Sequence, residues 1–378
     1  MAITIDSFAS YTDRPGINVT EILANSIKYA NRIRIMTVRG SGSAAPYVWG
    51  VPSPKTLSGQ GTYFSAECWG TGIALSDANP NIAIGLVSAA IGGSMIQAWM
   101  SKDAMASCPA AKLRNPPAFG RQSEWWQEMI APITPFRFSA VVWHQGEENS
   151  DDAIDYTCFQ KAMIEDWRSK FAISHLPFVF VQLQPCGIPP DMRYAQAQAL
   201  ALPAVGMASC YDLGDPDPTN EHGLCHSRYK LQCGARLALE VQRLLPSFAS
   251  PNVTRGPVVV NVSLVADSSS RSHVSIELGL INNDGLHWNG TKQCSVCCGT
   301  VAYPMQVQVS SGSWKYVNPK DVDLSFSRHS VKVSGRWFPG WGPFHPVALR
   351  YAWEDFPQCA LYNAQGLPAP PFNITIPV

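Results

Sequence analysis

The chain has 378 residues and is short of charge: Asp, Glu, Lys and Arg make up 15% of it, where about 25% is usual. Its 28 basic residues balance 28 acidic ones. A protein that neutralises phosphates or docks on an anionic bilayer needs a basic surplus, so neither nucleic acid nor a membrane surface is expected as a partner. Long apolar runs are missing as well. The longest, 82–100, is broken by Gly92-Gly93-Ser94 and Gln97 and lacks basic flanks, so it reads as a strand, a turn and a helix start and not as a membrane span. No paired C-x-x-C spacing is present, which leaves a zinc site without support, and no metal or cofactor is expected. The opening Met1-Ala2-Ile3-Thr4-Ile5-Asp6-Ser7 has no basic n-region, apolar core or small-residue cleavage site, so no signal peptide is read there. Internal repeats and low-complexity tracts are also absent.

What is abundant is apolar and aromatic. With 46% hydrophobic residues the chain can build sizeable cores, disorder is excluded, and its length suggests two or three units. Twelve Trp, 12 Tyr, 15 Phe and 30 Pro suit a compact, loop-rich protein that handles neutral or weakly polar ligands such as sugars. Eleven cysteines scattered along the chain fit disulfides and an oxidising compartment. Sequons at Asn18, Asn252, Asn261, Asn289 and Asn373 agree. An odd cysteine count leaves one thiol over, which suggests a partner on an upstream segment.

To about residue 248, short β-rich runs alternate with helical periodicity, the pattern of an α/β layer with a mostly parallel sheet. Strands are expected at 33–38, 82–88, 140–144, 178–182 and 205–210. Phe159, Met163, Trp167 and Phe171 mark one helix; Leu231, Ala235, Ala238, Val241 and Leu245 mark another. Over 249–378 the signal changes to short strands at 258–265, 273–281, 301–309, 313–317, 322–326, 330–334 and 347–353, separated by Gly, Asn, Asp and Ser. A β-sandwich-like second domain is expected there, closed by an extended tail, 367–372, docked on its surface.

In open α/β sheets ligands bind at the carboxyl ends of strands, so the polar residues after each apolar run come first. Gly92 and Gly93, at a strand-to-helix turn, let main-chain N–H groups approach an anion; close packing is the competing explanation. Val142-Trp143-His144-Gln145-Gly146-Glu147-Glu148-Asn149 empties a strand into a polar cluster. Gln145 or Asn149 can donate to a developing oxyanion, Glu147 can hold a loop or an arginine, and His144 reads as a packed histidine before it reads as a base. Arg193 and Gln196, about a turn apart, suit a sugar hydroxyl or a carboxylate, or a solvated helix face. After 205–210 come Asp212, Asp215, Asp217, Glu221, His222 and His226, the carboxylate-plus-imidazole half of a nucleophilic triad; a metal site is the weaker rival.

At these same four places the chain resembles the sialate O-acetylesterase family of the SGNH hydrolases, animal lysosomal type. Gly92-Gly93-Ser94-Met95-Ile96-Gln97-Ala98-Trp99 is similar to its Gly-Gly-Thr-Pro-Ile-Glu-Ala-Trp block, and Trp143-His144-Gln145-Gly146-Glu147-Glu148-Asn149 to its Trp-Tyr-Gln-Gly-Glu-Ser-Asn block. Cys225-His226-Ser227-Arg228-Tyr229-Lys230 resembles Ile-His-Pro-Arg-Asp-Lys, and the tail 348–353 with 366–372 is also family-like. The resemblance implies a flavodoxin-like, SGNH-type sheet and a metal-free serine esterase that deacetylates sialic acids in a lysosomal or secreted setting. It puts the nucleophile on Ser7, the base on His226 and the orienting acid on Asp215 or Asp212. It makes Gly92, Gly93, Gln145 and Asn149 oxyanion donors and gives Arg193 the substrate carboxylate, with Gln196 and Glu147 beside it. The family's Gly-Gln-Ser-Asn-Met block is eroded here to Ile5-Asp6-Ser7-Phe8-Ala9. Two alternatives therefore stand beside the esterase: a catalytically impaired glycan-binding relative, and a polysaccharide acetylesterase.

Overall fold

The structure is a computed structural model that describes residues 2–3, 18–38, 47–58, 64–111, 120–215, 220, 223, 226–266, 273–288, 304–309, 312–317, 322–326, 330–336, 346–357 and 360–377. It divides into two compact units, Met1–Ile188 with Ala195–Asn252, and Pro189–Tyr194 with Val253–Val378.

Among the described residues the first unit is built on six strands: β1 (Ala2–Ile3), β2 (Ile33–Val38), β3 (Ile84–Ala89), β4 (Val141–Trp143), β5 (Phe178–Gln182) and β6 (Val205–Ser209). They form one sheet in the order β2-β3-β1-β4-β5-β6, parallel at every junction. The described α-helices of the chain are α1 (Val19–Asn25), α2 (Pro54–Ser58), α3 (Ala66–Ala78), α4 (Ile96–Trp99), α5 (Lys102–Ala106), α6 (Ala153–Lys170), α7 (Pro190–Ala197), most of which belongs to the second unit, and α8 (Lys230–Leu244). The apolar run 82–100 thus resolves into β3, a turn and α4.

Strand side chains alternate between two helical layers, as the two-residue period requires. Ile33, Ile35, Val142, Val179 and Val181 face a core shared with Trp69 and Leu75 of α3 and Leu237 and Val241 of α8. Their neighbours Trp143 and Phe178 turn the other way, onto Trp167 of α6 at 5.7 and 6.1 Å between ring centroids. Trp99 of α4 closes edge-to-face on Trp143 at 6.1 Å. Trp69, Trp99, Trp143 and Trp167 are all fully buried. Much of the tryptophan that the composition suggested for ligands is therefore core packing in this unit, where each ring removes a large apolar area from water.

Two disulfides join described residues of this unit, and Cys186 is disulfide-bonded as well. Cys108–Cys158 ties the segment after α5 to α6, and Cys210–Cys233 ties the end of β6 to α8. Helices α3 and α8 approach closely where Gly234 lies against Gly70. A Cβ on Gly234 would meet the Glu67 carbonyl at 2.7 Å and the Thr71 nitrogen at 2.8 Å.

Among the described residues the second unit holds ten strands, whose pairings are antiparallel: β7 (Val258–Ala266), β8 (His273–Ile281), β9 (His287–Trp288), β10 (Met305–Val309), β11 (Trp314–Tyr316), β12 (Val322–Phe326), β13 (Ser330–Arg336), β14 (Pro346–Tyr351), β15 (Leu361–Tyr362) and β16 (Phe372–Thr375). They make two four-stranded sheets, β12-β13-β8-β7 and β11-β10-β14-β16, and a two-stranded ladder, β15-β9. The tail is not the surface strap the sequence suggests. Leu367 and Ala369 are buried, and β16 extends a sheet by pairing with β14 from Ala348↔Thr375 to Tyr351↔Phe372. Proline masks this edge strand from a propensity reading, because Pro370 and Pro371 stand just before it.

Candidate active site

The chain's path through the parallel sheet makes a crevice. β1 is central with β3 and β4 on opposite sides, and the chain runs from β1 toward the β2 edge but from β4 toward β5, which makes the topological switch point at which such sheets bind ligands. Ala2 pairs with both Ser88 and Val142, so the carboxyl ends of all three strands open on the same side. A cavity of about 400 Å³ lies in the first unit, lined by Gly92, Gly93 and Ser94 after β3, by His144, Glu147, Glu148 and Ser150 after β4, by Cys186, Gly187 and Ile188 after β5, and by His226 ahead of α8. Ser7, four residues beyond β1, lies outside the described residues.

The turn after β3 is fixed from the far side. Gly93 takes a left-handed φ of 64°, which glycine adopts without strain. The Gln145 amide donates to the Ser94 carbonyl at 3.1 Å and to Asn149 Oδ1 at 2.8 Å. Asn149 Oδ1 also accepts from the Ile96 N–H at 2.9 Å, and its Nδ2 donates to Gln97 at 3.0 Å. Both hydrogens of the Gln145 amide are thereby engaged, and Gln145 and Asn149 are buried without lining the cavity. Read as oxyanion donors in the sequence, these side chains here hold the glycine turn in place. Gly92 and Gly93 do line the cavity.

His226 is presented by a knot of hydrogen bonds. Asn220 Nδ2 donates to the Gly223 and His226 carbonyls at 2.9 and 3.1 Å and reaches Asp215 Oδ2 at 3.4 Å. Asp215 grips Arg228 bidentately, Nε to Oδ2 at 2.5 Å and NH2 to Oδ1 at 2.8 Å. Asp212 grips Arg236 of α8 in the same way, at 2.5 and 2.8 Å. Each of these carboxylates, taken from the sequence as candidates to orient His226, thus has both oxygens on a guanidinium. Of the other acidic and imidazole candidates in this stretch, Asp217, Glu221 and His222 lie outside the described residues.

Two further candidates are also turned inward. Arg193 is fully buried and donates to the Glu354 and Asp355 carbonyls at 2.9 and 2.7 Å, all within the second unit. Gln196 accepts from the Leu183 N–H at 3.0 Å and donates to the Gln145 and Val181 carbonyls. Neither lines the cavity.

The sequence reading did not single out Glu67. It sits in the first turn of α3, is almost fully buried, and takes His144 Nδ1 at 2.7 Å, while His144 Nε2 meets Glu147 Oε1 at 2.9 Å. Burial opposes charge on His144, but Glu67 and Glu147 outweigh it and lift the imidazole to about 10. Glu147 is drawn below its usual range: burial opposes ionisation, and the His144 charge and hydrogen bond overcome that. A lone carboxylate in the otherwise apolar start of α3 was the available signal, since such a group is buried only with a partner.

Among the described residues no group of three or more His, Cys, Asp and Glu could hold a metal ion, and no helix is long and apolar enough to cross a membrane.

Residues 58–243 match the model of a carbohydrate esterase family, the sialic acid-specific acetylesterases. Sialate O-acetylesterase of Pongo abelii is 28% identical over 397 residues, spanning 94% of this chain and 71% of that protein. The Mus musculus protein of the same name is 28% identical over 393 residues, spanning 86% of this chain and 66% of its own length. A carbohydrate acetylesterase from Xanthomonas citri, 22% identical, shares the fold with a TM-score of 0.75 over 99% of this chain and 79% of that one.

Proposed function

We propose that this chain, whose residues 58–243 match the sialic acid-specific carbohydrate esterase model, is an esterase of that kind and hydrolyses O-acetyl esters of sialic acids through a serine acyl-enzyme. The observation that carries the reading is that Gly92 and Gly93, after β3, and His226, ahead of α8, line one cavity of a parallel sheet in which β1, the strand that precedes Ser7 in the sequence, lies between β3 and β4. In this mechanism Ser7 Oγ attacks the acetyl carbonyl while His226 takes its proton. Main-chain N–H groups at Gly92 and Gly93 receive the developing oxyanion. Collapse expels the sugar oxygen, which His226 protonates, and water activated by the same imidazole releases acetate from Ser7.

Asp215 is assigned as a positioning residue: through Arg228 and Asn220 it stiffens the segment that offers His226. Gln145 and Asn149 keep the N–H groups of the glycine turn in place instead of donating themselves. The disulfides support an oxidising setting, lysosomal or secreted, in which the sequons carry glycans.

A second reading, deacetylation of neutral polysaccharides, is favoured by one observation. The described lining carries Glu147 and Glu148 but neither Arg nor Lys, and Arg193 is occupied elsewhere.

The test is covalent. A fluorophosphonate probe should label the purified protein, and Ser7→Ala and His226→Ala should each abolish labelling and acetate release from 9-O-acetyl sialic acid. Labelling that survives Ser7→Ala removes the nucleophile, and with it the mechanism. Loss of acetate release from sialic acid but not from acetylated xylan would favour the second reading. A wild-type protein that neither labels nor turns over would leave the impaired, glycan-binding relative.

A further inference from the structure

The group Glu67–His144–Glu147 is an expensive thing to bury. Taking two carboxylates and an imidazole out of water costs several kcal/mol per ion, and such arrangements are often no more stable than well-packed apolar residues of similar volume. Both ring nitrogens of His144 face carboxylate oxygens, at 2.7 and 2.9 Å. A nitrogen at that distance from a carboxylate oxygen carries a hydrogen, so the ring is doubly protonated and cationic. The second Glu67 oxygen is buried without a partner, and His144 is therefore what compensates this carboxylate. The far end of the group is different. Glu147 lines the cavity, and its side chain is 26% exposed against 7% for His144 and 0% for Glu67. A buried charged support thus ends in one carboxylate that a ligand can reach.

We propose that Glu147 is the acceptor for a hydroxyl or amide N–H of the sugar bearing the acetyl ester, and that Glu67 and His144 are positioning residues that hold it ionised and aimed into the cavity. The proposal rests on the esterase reading of the same site and adds to it the substrate group that is recognised. An ionised acceptor held from behind loses little freedom on binding, and hydrogen bonds to charged groups are the strong ones. The His144 imidazole, lifted to about 10, and Glu147, drawn down by it, keep both charges throughout the neutral range.

Two esters separate this role from a structural one: an O-acetylated sugar, which offers hydroxyls, and 4-nitrophenyl acetate, which offers none. Glu147→Gln and His144→Gln should each lower kcat/KM on the sugar ester roughly 10- to 100-fold and lower it on the aryl acetate by a distinctly smaller factor. A wild-type circular dichroism spectrum and cooperative urea unfolding certify the fold of each variant. Glu67→Gln should give a smaller loss in the same direction. Equal losses on both esters, or no loss on the sugar ester, overturn the proposal.

If wild type hydrolyses neither ester, the esterase reading has failed and calorimetric binding of the deacetylated sugar decides the inference. Weakening by Glu147→Gln supports it; equal affinity, or no binding by wild type, overturns it. Nitrogen-15 NMR should also find the His144 ring doubly protonated at pH 8, and a neutral ring there overturns the support role.

Discussion

Removing Cys210–Cys233 by the double substitution Cys210→Ala and Cys233→Ala opens the segment that presents His226. The bridge closes a loop with a sequence separation of 23. The loop-closure entropy released to the unfolded chain by a loop of that size corresponds to about 3 kcal/mol at room temperature. Both sulfurs are buried in the core shared by β6 and α8, so a small packing loss adds to that figure. Within the loop lie Asp212, Asp215 and Asn220, which fasten the His226 segment to arginines and main-chain carbonyls. Stability should therefore fall by about 3 kcal/mol and kcat should fall with it, while KM changes less because the Gly92 turn is held from β4. Urea unfolding followed by tryptophan fluorescence reads the first unit, where Trp69, Trp99, Trp143 and Trp167 are buried; acetate release reads the site. A stability loss below about 1 kcal/mol would refute the entropic reasoning, and an unchanged kcat would show that the hydrogen bonds alone hold His226.

Three further outcomes are expected. The folded His144 imidazole lies at about 10 against 6.5 for a free one, so its contribution to stability is fully present below pH 6.5, declines above that and is lost beyond pH 10; urea midpoints for wild type and His144→Gln should converge over that window. Burial pushes the Cys68 thiol up to about 12, so a disulfide reagent at pH 8 should leave it unreacted in the native protein and modify it on unfolding; rapid native-state reaction would contradict its burial. Gly234→Ala would press a methyl group on the main chain of α3 and should cost about 1–3 kcal/mol; a thermal midpoint equal to wild type would mean that the two helices part freely.

The α/β half was largely legible because its strands are continuous apolar runs, the signature of a sheet covered on both faces. Ile33–Val38 and Phe178–Gln182 emerge with the expected bounds, and the α6 aromatics pack as their spacing suggests. Strand β4 stops at Trp143, where its ladder to β5 ends, and the His144 ring just beyond is taken up by two carboxylates. The antiparallel half was harder to read: β9 and β15 are two residues each, too short for a period to register. At the site, sequence could say which residue types follow each strand but not which way an amide or guanidinium turns. Gln145, Asn149 and Arg193 look like ligand donors in the sequence and are engaged by main-chain groups and neighbouring amides in the fold. Glu67 failed the opposite way, since its partner lies 77 residues further along.

Strand β1 is two residues long, and its ladder partners are Ser88 on one side and Val142 on the other. Both of these partners lie far along the chain, so it can take its slot only after both flanking strands exist. Until then β3 and β4 each leave a row of amides open toward the gap, and a foreign strand could fill it. Pairing across so great a sequence separation carries a large loop-closure cost and slows folding. Competence for chemistry should thus arrive late in refolding, after the bulk of the secondary structure, and interlopers that block the gap would yield well-ordered but inert molecules.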